Sequence, residues 1–213
     1  MEEPELEEPS TLKVYLGKVF QGLSSPRVAS LFTVVLTLTM VNHGINLTFL
    51  PVFMADAFGA GAVVIGLVMS VRVAVGALVA ANMGFLTQRF GEELLLKLSL
   101  LLLAVSLVWM PFTTSVWMLL GPATLAGIAV GIGFPAFQSL LVREAPQGIL
   151  AGVMAANSVA GRTGQTLGPL LAGLIIGVGG STALFIVGAV FTACMLAVLV
   201  FGLSRRPGGI SAG

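Results

Sequence analysis

The sequence predicts an all-α integral membrane protein, and three observations carry the prediction. Of the 213 residues, 57% are hydrophobic and only 9% are charged, against about 25% charged in an ordinary soluble domain. The apolar residues gather into six runs, each near the roughly 20 residues that a helix needs to cross about 30 Å of hydrocarbon. The basic residues outside those runs all fall on one side of them. Strands of a membrane barrel would alternate in hydrophobicity over about ten residues, and these runs do not.

The elements follow in order. The opening "MEEPELEEPS" carries five glutamates, where a secretory signal would carry positive charge; it reads as a solvated acidic lead. In "TLKVYLGKVFQGL", Leu12, Tyr15, Val19 and Leu23 recur at helical spacing with Lys13 and Lys18 off the stripe. That pattern suits a short amphipathic helix on the membrane surface, completing a leading segment over 1–25. A transmembrane domain over 26–204 follows, with spans at 28–53, 61–86, 94–112, 116–141, 150–177 and 183–203, and residues 205–213 form a tail. The breaks "DAFGAG", "TQRFGEE", "PFTTS", "VREAPQG" and "GVGGST" carry turn chemistry.

Ten basic residues set the expected orientation. Arg72 and Arg162 fall within spans. Lys13, Lys18 and Arg27 precede span 1, Arg89 and Lys97 flank the link from span 2 to span 3, Arg143 lies between spans 4 and 5, and Arg205 and Arg206 follow span 6. The positive-inside rule puts both termini in the cytoplasm. A net charge of +1 without a basic tract gives no nucleic-acid signal, and the single cysteine, Cys194, can close no internal disulfide. One histidine and one cysteine on different helices make no catalytic pair or metal cluster, and no GxxxxGK[ST] phosphate loop is present. An enzyme and a bound cofactor are therefore not expected.

Polarity is unevenly shared among the spans. Spans 3 and 6 offer little beyond hydroxyls and a thiol, and are expected to face lipid. On span 1, Thr39, Asn42, His43 and Asn46 form a stripe within about 100° on a helical projection. Two readings of His43 stand: a proton carrier with a pKa near neutrality, or a neutral ring held by its asparagine neighbours. On span 5, Ser158, Arg162 and Gln165 form a second stripe with Pro169 below it. On span 4, Gly127, Gly131, Phe134 and Gln138 share a face, where small residues admit another helix or a ligand.

Arg72 lies eleven residues into span 2 and Arg162 twelve residues from the other face of span 5, each roughly 16–18 Å deep. Nine carboxylates are present: five in the lead, then Asp56, Glu92, Glu93 and Glu144 at connections or helix ends. None lies inside a span. The charge opposite the two arginines is expected to come from a ligand, another subunit's carboxylate or water.

The order of features resembles the major facilitator superfamily. "GFLTQRFGEE" (84–93) is similar to that family's loop motif G-x-x-x-D-R-x-G-R-[RK]: Gly84, Arg89 and Gly91 match, Gln88 replaces the acid, and Glu92 and Glu93 replace the basic pair. "GQTLGPLLAG" (164–173) resembles the signature g-x-x-x-G-P-x-x-G-G through Gly164, Gly168, Pro169 and Gly173, with Ala172 for one glycine. The worn loop motif and "GIGFPAFQSLLVREAPQGILAG" resemble the family's second half, spans 7–12.

The resemblance implies a six-helix half built as two inverted three-helix repeats. It would work with a second six-helix half, a copy of itself or a separate subunit, by alternating access in the inner membrane of a prokaryote. The implied cargo is a small organic solute, anionic or amphipathic, with export favoured by the glycine–proline signature. Arg72, Arg162, Asn42, His43, Asn46, Gln138 and Gln165 are the candidate solute ligands. The alternative is a non-transporting membrane subunit or an inactive fragment.

Overall fold

The apolar runs fold as helices in the computed structural model, which describes residues 26–145 and 148–204, with Pro26, Arg27 and residues 202–204 as backbone only. The leading segment 1–25, its expected amphipathic helix and the tail 205–213 lie outside the described residues. Among the described residues there is no strand, and five helices are long and apolar enough to cross a membrane.

The first span begins as α1 (Pro26–Met40), continues as a π-helix (Val41–Phe49) and ends as α2 (Leu50–Phe58). The chemistry at Pro51 explains the change of pitch. Proline has no N–H to give the carbonyl four residues back, and its ring presses on that carbonyl. The backbone widens to i→i+5 bonding, an uncommon geometry often found at functional sites. Leu50 N–H bonds to Ile45 O, and Thr48 Oγ1 donates to the carbonyl of His43, five residues back, at 2.7 Å.

Span 2 is split. α3 (Ala62–Ala81) stops at Asn82 (φ −97°, ψ 8°), and α4 (Met83–Phe90) carries the loop motif to Gly91. At φ 76°, Gly91 sits where a side chain would be strained, and it turns the chain into α5 (Glu92–Trp109). Glu92 opens α5 and ties it to the end of α6 (Leu120–Glu144). Ser139 Oγ donates to Glu92 Oε1 at 2.8 Å, and Arg143 Nη1 to Oε2 at 2.6 Å. The glutamate that replaces a basic motif residue thus forms an ion pair within the chain.

The last helix, α7, runs Leu150–Ser204, 55 residues with one non-helical position, Gly180. Straight, it would be about 80 Å long, far more than one bilayer crossing. Gly180 (φ 74°, ψ −176°) occupies a region that is essentially glycine-only. The sequence reading expects a loop over 177–182; the structure turns on this single residue and continues unbroken through Pro169. Gly180→Ala is expected to cost about 1–3 kcal/mol, read as a lowered Tm. Gly177→Ala, with nothing near its added Cβ, should leave Tm unchanged or raise it.

The largest enclosed side chains of the core are mostly leucine, with two phenylalanines: Leu31, Leu38, Leu96, Leu100, Leu103, Phe137 and Phe185 are all fully enclosed. α5 packs on α6 and α7, and α1 on α7. Buried hydroxyls are satisfied by carbonyls: Ser106 donates to Pro122 O and Thr192 to Gly188 O, both at 2.8 Å. Span 3, expected to face lipid, buries half of α5's most apolar window and leaves Leu98, Leu101, Val105 and Val108 exposed, whereas only 11% of α3's window is buried. α3 buries only Val68 and Arg72 and packs mainly on α6.

Candidate functional site

The α3–α6 crossing is made by glycines. A Cβ on Gly76 would lie 2.8 Å from Gly127 O, and one on Gly131 would lie 3.0 Å from the Gly76 carbonyl carbon and Cα. A Cβ on Gly127 would strike the carbonyl oxygen of Arg72. The two backbones touch, as small residues permit in membranes, and the contact fixes the backbone from which the Arg72 side chain projects.

Arg72 is 3% exposed. Its Nη2 donates to Asn42 Oδ1 on the π-helix, while its buried Nε has no partner. Among the described residues no carboxylate pairs with it. Both groups line a cleft of about 400 Å³ between the π-helix, α3 and α6. Its walls are apolar, including Val73, Ala77, Val130 and Phe134. A buried cation half-satisfied by an amide and open to an apolar cleft can accept an anionic head group while the cleft takes an apolar body.

The remaining candidates are dispersed. His43 is half-buried, and its Nδ1 donates to Thr39 O at 3.0 Å, which fixes the proton on Nδ1. Asn46 is fully buried with neither side-chain atom partnered. Gln138, Arg162 and Gln165 are exposed on α6 and α7. In the loop motif, Gly84 has open space around it and Arg89 lies over the Phe90 ring at 5.8 Å.

The glycine–proline signature does structural work next to the site. A Cβ on Gly168 would lie 2.5 Å from Met40 O, one on Gly44 would lie 2.6 Å from the Gly168 carbonyl, and one on Gly164 would meet the Thr39 side chain. Gly173 sits at ordinary distance from Phe49, 3.6 Å from its Cζ. α7 thus lies directly against α1 and the π-helix that carries Asn42.

Sequence reasoning missed Asn157, which is 8% exposed with Oδ1 unpartnered. The available signal is an amide in the apolar stretch "AANSVAG", one residue from Ser158 of the span 5 stripe.

Residues 32–212 match the family described as Major Facilitator Superfamily. The chain is 30% identical over 203 residues to the Multidrug resistance protein MdtG of Enterobacter lignolyticus, covering 93% of this chain and 48% of that protein. It is 30% identical over 179 residues to the proteins of the same name from Salmonella arizonae and Salmonella newport, covering 83% of this chain and 44% of each. The chain spans about half the length of the curated relatives it matches.

Proposed function

Because this chain belongs to the major facilitator superfamily, we propose that it is one half of a secondary transporter that exports a small organic solute, anionic or amphipathic, across a bacterial inner membrane. The observation that carries the reading is Arg72: a cation 3% exposed, held by Asn42 and lining an apolar cleft, with no carboxylate opposite it among the described residues. Asn46, Gln138 and Gln165 supply hydrogen bonds along the solute's path, and His43 is the candidate proton carrier. The names of the relatives, multidrug resistance proteins, favour export.

In this reading α7 crosses the membrane twice about Gly180, giving six crossings in all. Spans 1–3 and 4–6 are inverted repeats, and the basic connections put both termini in the cytoplasm. A second six-helix half completes the path, and rocking of one half against the other exposes the cleft to each side in turn. A gradient drives the cycle.

The test is flux. The complex purified from native membranes and reconstituted in liposomes is expected to give saturable movement of an amphipathic organic anion, well above protein-free liposomes. No saturable flux across a panel of carboxylates and sulfonates would leave a non-transporting membrane subunit as the better description.

A further inference from the structure

A second cavity shares no lining residue with the Arg72 cleft. It encloses about 350 Å³ between the end of the first span and the Gly180 turn of α7. Phe49, Phe53 and Asp56 line it at i, i+4 and i+7, one face of a helix. Ser181 and Phe185 line it from α7. Phe53 meets Phe185 edge to face with ring centroids 5.1 Å apart, and it meets Phe58 in the same way at 5.4 Å. Phe185 is fully buried, so packing holds this ring cluster in place. Asp56 is exposed, and among the described residues no hydrogen bond or ion pair engages its carboxylate.

The other charges of the described residues lie elsewhere. Arg89, Glu92, Glu93, Lys97, Arg143 and Glu144 gather where α4 ends, α5 begins and α6 ends, and Arg72 and Arg162 lie within helices. Asp56 is thus the one charged side chain at the opposite end of the bundle among the described residues. It sits two residues before the end of α2, where the negative pole of the helix dipole opposes an anion and favours a cation. The helix gains nothing from this carboxylate, whereas a cation beside it meets two negative fields at once. Aromatic rings attract cations too, and a mostly apolar pocket with a few converging polar groups is how small organic ligands are held. The geometry points to a binding site for an amphipathic organic ammonium ion. The Asp56 carboxylate neutralises its charge, the Phe49 and Phe53 rings take its apolar body, and the Ser181 hydroxyl is a second polar contact. This ligand is opposite in charge to an anion at Arg72, and the site stands whether or not the complex moves a solute.

Calorimetric titration with benzyltrimethylammonium, on the complex purified from native membranes into a neutral detergent, tests this. The expected result is saturable binding that weakens about tenfold or more in Asp56→Asn. Phe53→Leu, which keeps an apolar wall without the ring, should weaken it roughly 3- to 10-fold. Removing an anion from a helix C-terminus should leave Tm unchanged or raise it, so Asp56→Asn separates lost binding from lost folding. Benzenesulfonate, an aromatic ion of opposite charge, should not displace the probe. Absence of saturable binding by the wild type, equal affinity in Asp56→Asn, or displacement by benzenesulfonate would each overturn the inference. Lipid added to the micelles distinguishes two sources of the ammonium. Competition by phosphatidylethanolamine but not phosphatidylglycerol assigns the pocket to a lipid amine, and competition by neither assigns it to a soluble ion. Equal competition by both would make it an apolar groove without charge selectivity and overturn the inference.

Discussion

Arg72→Met is expected to weaken binding of an anionic solute by roughly 10- to 100-fold, the worth of a hydrogen bond to a charged group at about 1.5–3 kcal/mol. Calorimetric titration of the purified complex gives the number. Arg72→Lys keeps the charge but loses the planar fork and Nε–H, so it should fall between wild type and Met. The fold should tolerate the change, because an apolar side chain in place of a buried, incompletely paired cation is often neutral or stabilising. The penalty that remains belongs to Asn42, whose Oδ1 loses the Arg72 Nη2 donor. Asn42→Leu in the Met background should recover Tm without recovering affinity. Unchanged affinity in Arg72→Met would remove Arg72 from the solute site.

A larger effect on stability is expected at the α3–α6 crossing. Gly127→Val places side-chain atoms where the Arg72 backbone already lies, with its carbonyl carbon at 3.1 Å and its Cα at 3.4 Å from the first added carbon. Backbone cannot swing aside as a side chain can. The cost belongs at the top of the overpacking range, about 3 kcal/mol, or a fall in Tm of about 6–12 °C for a protein of this size. α3 has little else to hold it, since Val68 and Arg72 are its only buried residues. The same variant should therefore weaken solute binding, because the crossing positions Arg72. Gly66→Ala on the same helix, with open space at its Cβ, is the matched control and should be neutral or mildly stabilising. Equal Tm values for Gly127→Val and Gly66→Ala would mean that the two helices do not meet as described.

The sequence makes some of this legible and hides the rest for physical reasons. Apolar length and turn chemistry show where helices lie, and the glycine-bearing connection at Gly91 turns where composition suggests. A helical projection shows that Asn42 and Asn46 share a stripe and that Arg72 has no polar neighbour on its own face. It cannot show that Asn42 and Arg72 meet, because that contact spans 30 residues and depends on a tertiary crossing. The glycines of α6 are visible as a small-residue face, yet their partner, Gly76, is identified only by the packing. The π-helix escapes a 100° projection altogether, although Pro51 behind a polar cluster was its available sign. At Gly180 a turn-rich stretch implies a loop, whereas one glycine-only dihedral pair suffices.

The π-helix also gives the first span a store of slack. A π turn takes up one residue more than an α turn, so each π turn that returned to α geometry would release one residue, lengthening the span by about 1.5 Å and turning everything beyond it by about 100°. The residues that would swing are those beyond His43, including Asn46, whose unpartnered amide has no hydrogen bond to break before it moves. Asn42 is moored to Arg72 at the other end of the segment. The span is thus pinned at its polar centre by the Asn42–Arg72 contact, with its slack held between His43 and Pro51.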